Sequence, residues 1–352
     1  MGKLKGVIIG CGAIAREHLR ALESLTNVEV AAVCDISSAR AEATAERFRI
    51  SAWYASYSEM LADIRPDLVH ITTPPTSHFQ IAKSCLAAGL NVLCEKPITT
   101  TYQEFCELRE LSLEKRCMLM ENQNLRFHSI VRRIASLLKA GDFGDILDVQ
   151  VIYALNVSGP DVPYTDPNVA HYGLALRGGV VGDFLTHIAC LTHMFAGSAL
   201  DLRTIWAKRA NDRVLPADEF RAIVKGEHAP AYVAFSGNTR LNGLWLRVSG
   251  TKMYAETNLF EPPRLILRRS RTGEPALMSL LDGIVEARSV LTGTISGFWR
   301  KLSGASGYDG LSSLIERTYQ ALELRSLPPI SLDEIDQVAQ LVDGLAKPEL
   351  KL

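Results

Sequence analysis

Asp183 and His187 lie four residues apart in the segment Arg177-Gly178-Gly179-Val180-Val181-Gly182-Asp183-Phe184-Leu185-Thr186-His187. On a helix that spacing puts both side chains on one face. A carboxylate beside an imidazole favours one tautomer and raises the ring's basicity, which is what moving a proton requires. The same spacing also serves a helix-surface pair or a satisfied core histidine. Lys96 follows the apolar run Asn91-Val92-Leu93-Cys94 and sits between Glu95 and Pro97. A lysine at the carboxyl end of a parallel strand emerges where open sheets bind their ligands, and it can hydrogen-bond a reacting oxygen. On charge alone it could equally be a solvated partner of Glu95. Thr72-Thr73-Pro74-Pro75-Thr76-Ser77-His78 ends another strand. Its prolines stop the ladder, Ser77 or Thr76 is placed to cap the next helix, and Thr73 and Pro74 form a second wall of the same cleft. A metal site is not expected, because His193 lies six residues past His187 on a different face and no third ligand is near.

A phosphate loop accompanies these groups. Val7-Ile8-Ile9-Gly10-Cys11-Gly12-Ala13-Ile14-Ala15 fits G-x-G-x-x-G/A, with Ala15 in the third place. Gly10 allows the tight turn, and Gly12 lets backbone approach a pyrophosphate. Ala13 and Ile14 open a helix whose free N–H groups and dipole attract anions. Asp35 closes the run Ala31-Ala32-Val33-Cys34, where an acid accepts from an adenosine ribose and repels a 2′-phosphate. NAD is therefore expected before NADP, although Ser37 and Arg40 nearby could hold a 2′-phosphate.

The elements that must position these residues alternate over the first 120 or so. Apolar runs at Gly6–Ile9, Val28–Cys34, Leu68–Thr72, Asn91–Cys94 and Cys117–Met120, with a shorter one near Trp53, predict strands. Amphipathic stretches at Ala13–Leu25, Ser38–Phe48, Ser77–Ala88 and Tyr102–Glu114 predict helices between them, hence βαβ units and a doubly wound parallel sheet. After Asn124 the pattern changes. Helices are predicted at Ser129–Ala140, Gly179–Phe195, Tyr308–Arg325 and Ser331–Ala346, with a loop over Ser158–Asn168. Strands are predicted at Asp145–Asn156, Asp201–Arg209, Glu219–Lys225, Ala231–Ser236, Leu244–Ser249 and Leu265–Arg269. The expected fold class is α/β: a dinucleotide-binding domain over 1–124, then an α+β domain over 125–352 built on a large, mostly antiparallel open sheet.

Composition narrows the function. With 352 residues the chain exceeds one ordinary core. Lys+Arg at 38 against Asp+Glu at 39 leaves no field for a polyanion, so no nucleic-acid partner is expected and a small ligand is. No run reaches the ~18–20 apolar residues that a membrane span needs. Gly10, Gly12 and Arg16 break the N-terminal apolar stretch, against a secretory signal. Seven cysteines without a CxxC read as free thiols in a reducing cytoplasm.

Taken together, Gly10-x-Gly12-x-x-Ala15, Glu95-Lys96-Pro97 and Asp183-x-x-x-His187 resemble the Gfo/Idh/MocA family (glucose-fructose oxidoreductase, inositol dehydrogenase, rhizopine catabolism) in order and spacing, from Lys5 to about Gly250. The resemblance implies a Rossmann domain, a second domain whose open sheet forms an oligomer interface (a homodimer or homotetramer), and nicotinamide-dependent redox chemistry on a sugar, cyclitol or related polyol. It implies Lys96, Asp183 and His187 as the catalytic set. His187 would be the general base, Asp183 its orienting carboxylate and Lys96 the holder of the reacting oxygen. It implies Glu95 as a contact to the nicotinamide ribose, Thr73, Pro74 and His78 as lining of the cofactor groove, and a cis Lys96–Pro97 bond. Asn124-Leu125-Arg126-Phe127 resembles the segment entering the second domain, with Asn124 at the cofactor and Arg126 and Tyr172 at the substrate.

Leu185 and Val180 depart from the family pattern, where glycines are common, and imply a different pocket floor. Leu277–Leu302 matches poorly and reads as an apolar helix face, for packing or docking. Two other outcomes stay open: a glycosidase-type enzyme that oxidises its substrate transiently, and an NAD-responsive regulator.

Overall fold

The computed structural model describes residues 2–158, 162, 164–165, 171–211, 214–260, 264–269, 276–302, 308, 310–347 and 350–351. Its elements run β1 (Leu4–Ile9), α1 (Ala13–Glu23), β2 (Val28–Cys34), α2 (Ser38–Phe48), β3 (Trp53–Tyr54), α3 (Tyr57–Asp63), β4 (Leu68–Ile71), α4 (Pro75–Ala87), β5 (Val92–Cys94), α5 (Tyr102–Lys115) and β6 (Leu119–Glu121). They continue with α6 (Ser129–Lys139), β7 (Ile146–Ala154), α7 (Val180–Ala196), β8 (Ala199–Ala207), β9 (Glu219–Gly226), β10 (Pro230–Ser236), β11 (Gly243–Gly250), β12 (Met253–Asn258) and β13 (Ile266–Arg269). The last are α8 (Ala276–Leu302), α9 (Leu311–Leu324), α10 (Leu332–Leu345) and β14 (Leu350–Lys351).

Two units result: Met1–Phe127 with Tyr308–Gln340, and His128–Gly307 with Leu341–Leu352. In the first, six parallel strands take the order β3-β2-β1-β4-β5-β6. That is the Rossmann order, with its reversal between β1 and β4. Val7, Ile8, Val33, Val69, Ile71, Val92 and Leu93 are fully buried, as expected for strands covered on both faces. Burying one such side chain is worth ~1.5–3 kcal/mol. Tyr308–Gln340 groups with this unit, whereas the sequence reading kept everything after residue 124 in the second domain. The reason is apolar: Leu311, Leu314, Ile315 and Tyr319 of α9, with Ile330 and Ile335, join the Rossmann core.

In the second unit an eight-stranded sheet runs β13-β12-β11-β7-β10-β9-β8-β14. Among the described residues only β7–β10 and β8–β14 of this sheet pair in parallel. α7 packs across β7, β10 and β9, and it is buried along most of its length. The short elements α3, β12 and β14 have no counterpart among the sequence expectations. Most of the loop expected over Ser158–Asn168 lies outside the described residues.

Candidate functional site

In the first unit the expected cofactor residues gather at the carboxyl ends of β1, β2, β4 and β5. Gly10 has φ +97°, a left-handed value that favours glycine, and a Cβ there would stand 2.7 Å from the Thr73 nitrogen. The β1–α1 turn therefore seats directly on the β4 loop. Its Gly10 N–H donates to the Cys34 carbonyl at 2.7 Å. Gly12 is the N-cap of α1 without a side-chain cap, and a Cβ added to it would meet nothing within 4 Å. The first N–H groups of α1, beginning at Ala13 and Ile14, thus open onto space.

Asp35 stands beside them. Its Oδ2 accepts the Cys11 N–H at 2.9 Å, and its Oδ1 accepts the Ser37 N–H at 2.9 Å. A carboxylate offers about four lone-pair sites, so capacity remains for ribose hydroxyls. Arg40 lies 3.5 Å away, its side chain 58% exposed, on a helix that Ser37 caps. An open helix terminus next to a fixed acid fits an adenosine ribose and its diphosphate.

The Lys96 loop is pinned on two sides, and the Lys96–Pro97 bond is cis. His78, wholly buried, sits between two carbonyls, with Nδ1 2.8 Å from Pro97 O and Nε2 2.8 Å from Thr73 O, and its neutral ring donates to one of them. It therefore locks the Lys96–Pro97 loop to the β4 loop from within, rather than lining an open groove. Burial lowers its affinity for a proton and outweighs the two carbonyls and Glu95, which act the other way. The helix behind it begins at Pro75, two residues earlier than expected. Pro74 is its N-cap, and no side chain caps it. A proline in the first helical position lacks an N–H that would have gone unpaired. Ser77 instead donates to Pro74 O at 2.9 Å.

Glu95 is 7% exposed, and its Oε2 accepts the Lys96 N–H at 3.2 Å. Burial alone would raise its carboxyl. Hydrogen bonds and charge from His18, the Asn122 amide and Lys96 win, and they hold it below the ordinary glutamate value. Asn124 and Arg126 sit in a short 3-10 turn after β6. Asn124 is 7% exposed, and the Arg126 guanidinium pairs with Glu334 of α10.

In the second unit Asp183 and His187 lie on α7. Gly179 caps that helix at φ +62°, where a Cβ would meet Pro216 at 2.7 Å, so the paired glycines shape its start. Asp183 is 4% exposed and accepts the Tyr172 hydroxyl at 3.0 Å. His187, half-buried, lies near-parallel to Tyr153 of β7, ring centroids 6.3 Å apart. Phe184, Phe235 and Phe260 complete the aromatic cluster around Tyr153. Tyr172, 38% exposed, stacks on His171 at 4.4 Å. Val180 and Leu185 are fully buried, so their bulk fills the core.

Sequence reasoning missed Tyr153 and His171, as well as three buried groups behind Glu95: His18, His70 and Tyr319. The one available signal was His18, a polar residue at an apolar-face position between Ala15, Leu19 and Leu22. Among the described residues no cluster of three or more His, Cys, Asp and Glu could hold a metal ion, and no helix is long and apolar enough to cross a membrane.

Residues 4–123 match the family model "Oxidoreductase family, NAD-binding Rossmann fold". Among curated proteins, D-apiose dehydrogenase of Paraburkholderia graminis is 29% identical over 142 residues, 40% of this chain and 38% of that protein. D-xylose 1-dehydrogenase (NADP(+)) 2 of Haloferax volcanii is 29% identical over 192 residues, 54% of this chain and 57% of its own length. The chain thus spans about half the length, or less, of these curated relatives. Among solved structures, an oxidoreductase from Agrobacterium radiobacter, in complex with NAD+, L-tartaric acid and magnesium, superposes with a TM-score of 0.77 at 19% identity, covering 97% of this chain and 94% of that one. That likeness extends the fold, both sheets included, along nearly the whole chain. The domain of residues 4–123 belongs to the Gfo/Idh/MocA oxidoreductase family and is NAD-binding and Rossmann in fold.

Proposed function

We propose that the protein is a dehydrogenase or reductase that moves a hydride between a nicotinamide and a hydroxyl or keto carbon of a sugar, cyclitol or sugar derivative. The observation that carries this reading is the cluster at the carboxyl ends of β1, β2, β4 and β5. An open helix N-terminus, the fixed Asp35 carboxylate and the pinned Lys96 loop share that edge. NAD, when bound, would supply the hydride carrier. Lys96 would hold the reacting oxygen, His187 would take or return its proton, and Asp183 would orient His187. Assigning all three to one substrate rests on the resemblance of their motifs. Proton transfer of this kind is worth ~10²–10⁴-fold.

NAD is preferred to NADP because Asp35 stands where a 2′-phosphate would go. Tyr172 is the stronger substrate contact, since the Arg126 guanidinium is taken by Glu334. A cytoplasmic setting is supported by seven free cysteines. A homo-oligomer is supported by Ile205 and Ile223, exposed on neighbouring strands of the open sheet at 38% and 64%.

The test is turnover. The purified chain is mixed with NAD or NADP and D-xylose, D-apiose, myo-inositol or a UDP-hexose, and nicotinamide absorbance is followed. Reduction with one of these supports the reading. No reduction by folded protein in either direction, across sugars, cyclitols and nucleotide sugars, rejects it.

A further inference from the structure

Behind Glu95 runs an unbroken line of buried polar groups from three separate elements. Tyr319 of α9 places its hydroxyl 3.0 Å from His70 Nε2 on β4. His70 Nδ1 is 3.0 Å from His18 Nδ1 on α1. His18 Nε2 is 2.9 Å from Glu95 Oε1. Both histidines are fully buried, and Tyr319 is 1% exposed.

Counting hydrogens allows a line directed at Glu95. Burial and the neighbouring His18 push His70 well below the ordinary imidazole range, so it carries one N–H. Burial and Asp67 push the Tyr319 phenol up, so it keeps its hydrogen. With Tyr319 donating to His70 Nε2, the His70 hydrogen sits on Nδ1 and points at His18 Nδ1. His18 must then carry its own hydrogen on Nε2, where it meets the Glu95 carboxylate. In that arrangement every donor points toward Glu95.

We infer that His18 is a positioning residue, with His70 and Tyr319 fixing its tautomer: it holds the Glu95 carboxylate ionised and oriented, and through Glu95 it sets the backbone of Lys96. Glu95 Oε1 also accepts the Asn122 amide, and Oε2 accepts the Lys96 N–H at 3.2 Å. Losing the His18 donor leaves the oxygen opposite the one that holds Lys96 to the Asn122 amide alone. The other charged or titratable groups that act on Glu95 among the described residues are Lys96 on its own loop, Cys94 of β5, His78 of α4 and Glu121 of β6. Gly6 fits the same design. A Cβ there would run into the Tyr319 hydroxyl, so β1 leaves room for the phenol that starts the line.

The inference rests on the dehydrogenase reading for its catalytic consequence, but its direct test needs no turnover. Protein labelled with 13C-glutamate is titrated, and the Glu95 signal is assigned by its loss in Glu95→Gln. In His18→Leu the Glu95 midpoint is expected to rise by at least about one pH unit, a roughly tenfold change in proton affinity. In His18→Gln, whose amide N–H can replace the Nε2 donor, most of that rise is expected to vanish. Tyr319→Phe removes one oxygen from a packed ring and keeps its volume. It is expected to move the midpoint the same way by less, and it decides the matter if His18→Leu does not fold. The acid limb of kcat/KM is expected to follow the same three shifts. A Glu95 midpoint that stays put in folded Tyr319→Phe and folded His18→Leu overturns the inference. A midpoint that moves in a protein without turnover would instead count against the dehydrogenase reading alone.

Discussion

The Tyr172 hydroxyl donates to Asp183 Oδ2 at 3.0 Å, and Asp183 stands one helical turn before His187 on α7. A carboxylate 4% exposed to solvent is therefore tied to a side chain that is itself 38% exposed. A hydrogen bond to a charged group is worth roughly 1.5–3 kcal/mol. Tyr172→Phe is expected to lower kcat about tenfold or more, because Asp183 loses its fixed orientation. Steady-state kinetics would check this, and a change in KM alone would make Tyr172 a binding contact only.

Asp35 fastens the glycine loop through Cys11, and its charge is predicted to disfavour a 2′-phosphate. Asp35→Ser with Arg40 retained is expected to reverse the preference from NAD to NADP. Like-charge juxtaposition costs several kcal/mol, so the ratio of kcat/KM values should move by at least about tenfold. The variant also loses its hold on two backbone N–H groups. Thermal melting should therefore fall even where NADP turnover rises.

Lys96 is predicted to act on the reacting oxygen, so Lys96→Ala should lower kcat/KM by ~10²–10⁴-fold with little change in NAD affinity. Isothermal titration with NAD separates the two effects. A variant that turns over normally would remove Lys96 from the catalytic set.

His70 and His78 are buried, and both bind protons less readily than free imidazole. The unfolded chain therefore takes up protons near pH 6.5 that the folded chain refuses. Stability from these groups is fully present above that value and is lost as pH falls below it. The loss is at most ~1.4 kcal/mol per pH unit for each group. Denaturant midpoints measured from pH 8 down to 5 should show this fall, and His78→Gln should flatten it.

Much of this architecture was legible in the chain. α2 matches its expected bounds because Ser37 caps it and its apolar positions recur at helical spacing. β2 does so because a run of apolar residues bounded by polar ones has few other fates. The glycine loop, Asp35 and Lys96 were visible because each needs only its neighbours in sequence. What escaped depends on distant partners. Tyr319 meets His70 across 249 positions, and no local pattern announces it. Arg126 read as a substrate contact because nothing nearby in sequence marks Glu334 as its partner. β12 was missed because Met253–Asn258 ends in the polar run Glu256-Thr257-Asn258 rather than an apolar one, and it pairs with β11 and β13 on either side.

The central claim is hydride transfer from a substrate carbon, and its most direct measurement uses deuterium. D-Xylose deuterated at the anomeric carbon and myo-inositol deuterated at every carbon are each offered with NAD, and the reduced nicotinamide is examined by mass. One deuteron per turnover in the nicotinamide, with slower turnover than for the protiated compound, is the predicted result. Reduced nicotinamide that carries no deuterium, or a folded protein that binds NAD yet never reduces it with either compound or with any sugar or nucleotide sugar, would contradict the account.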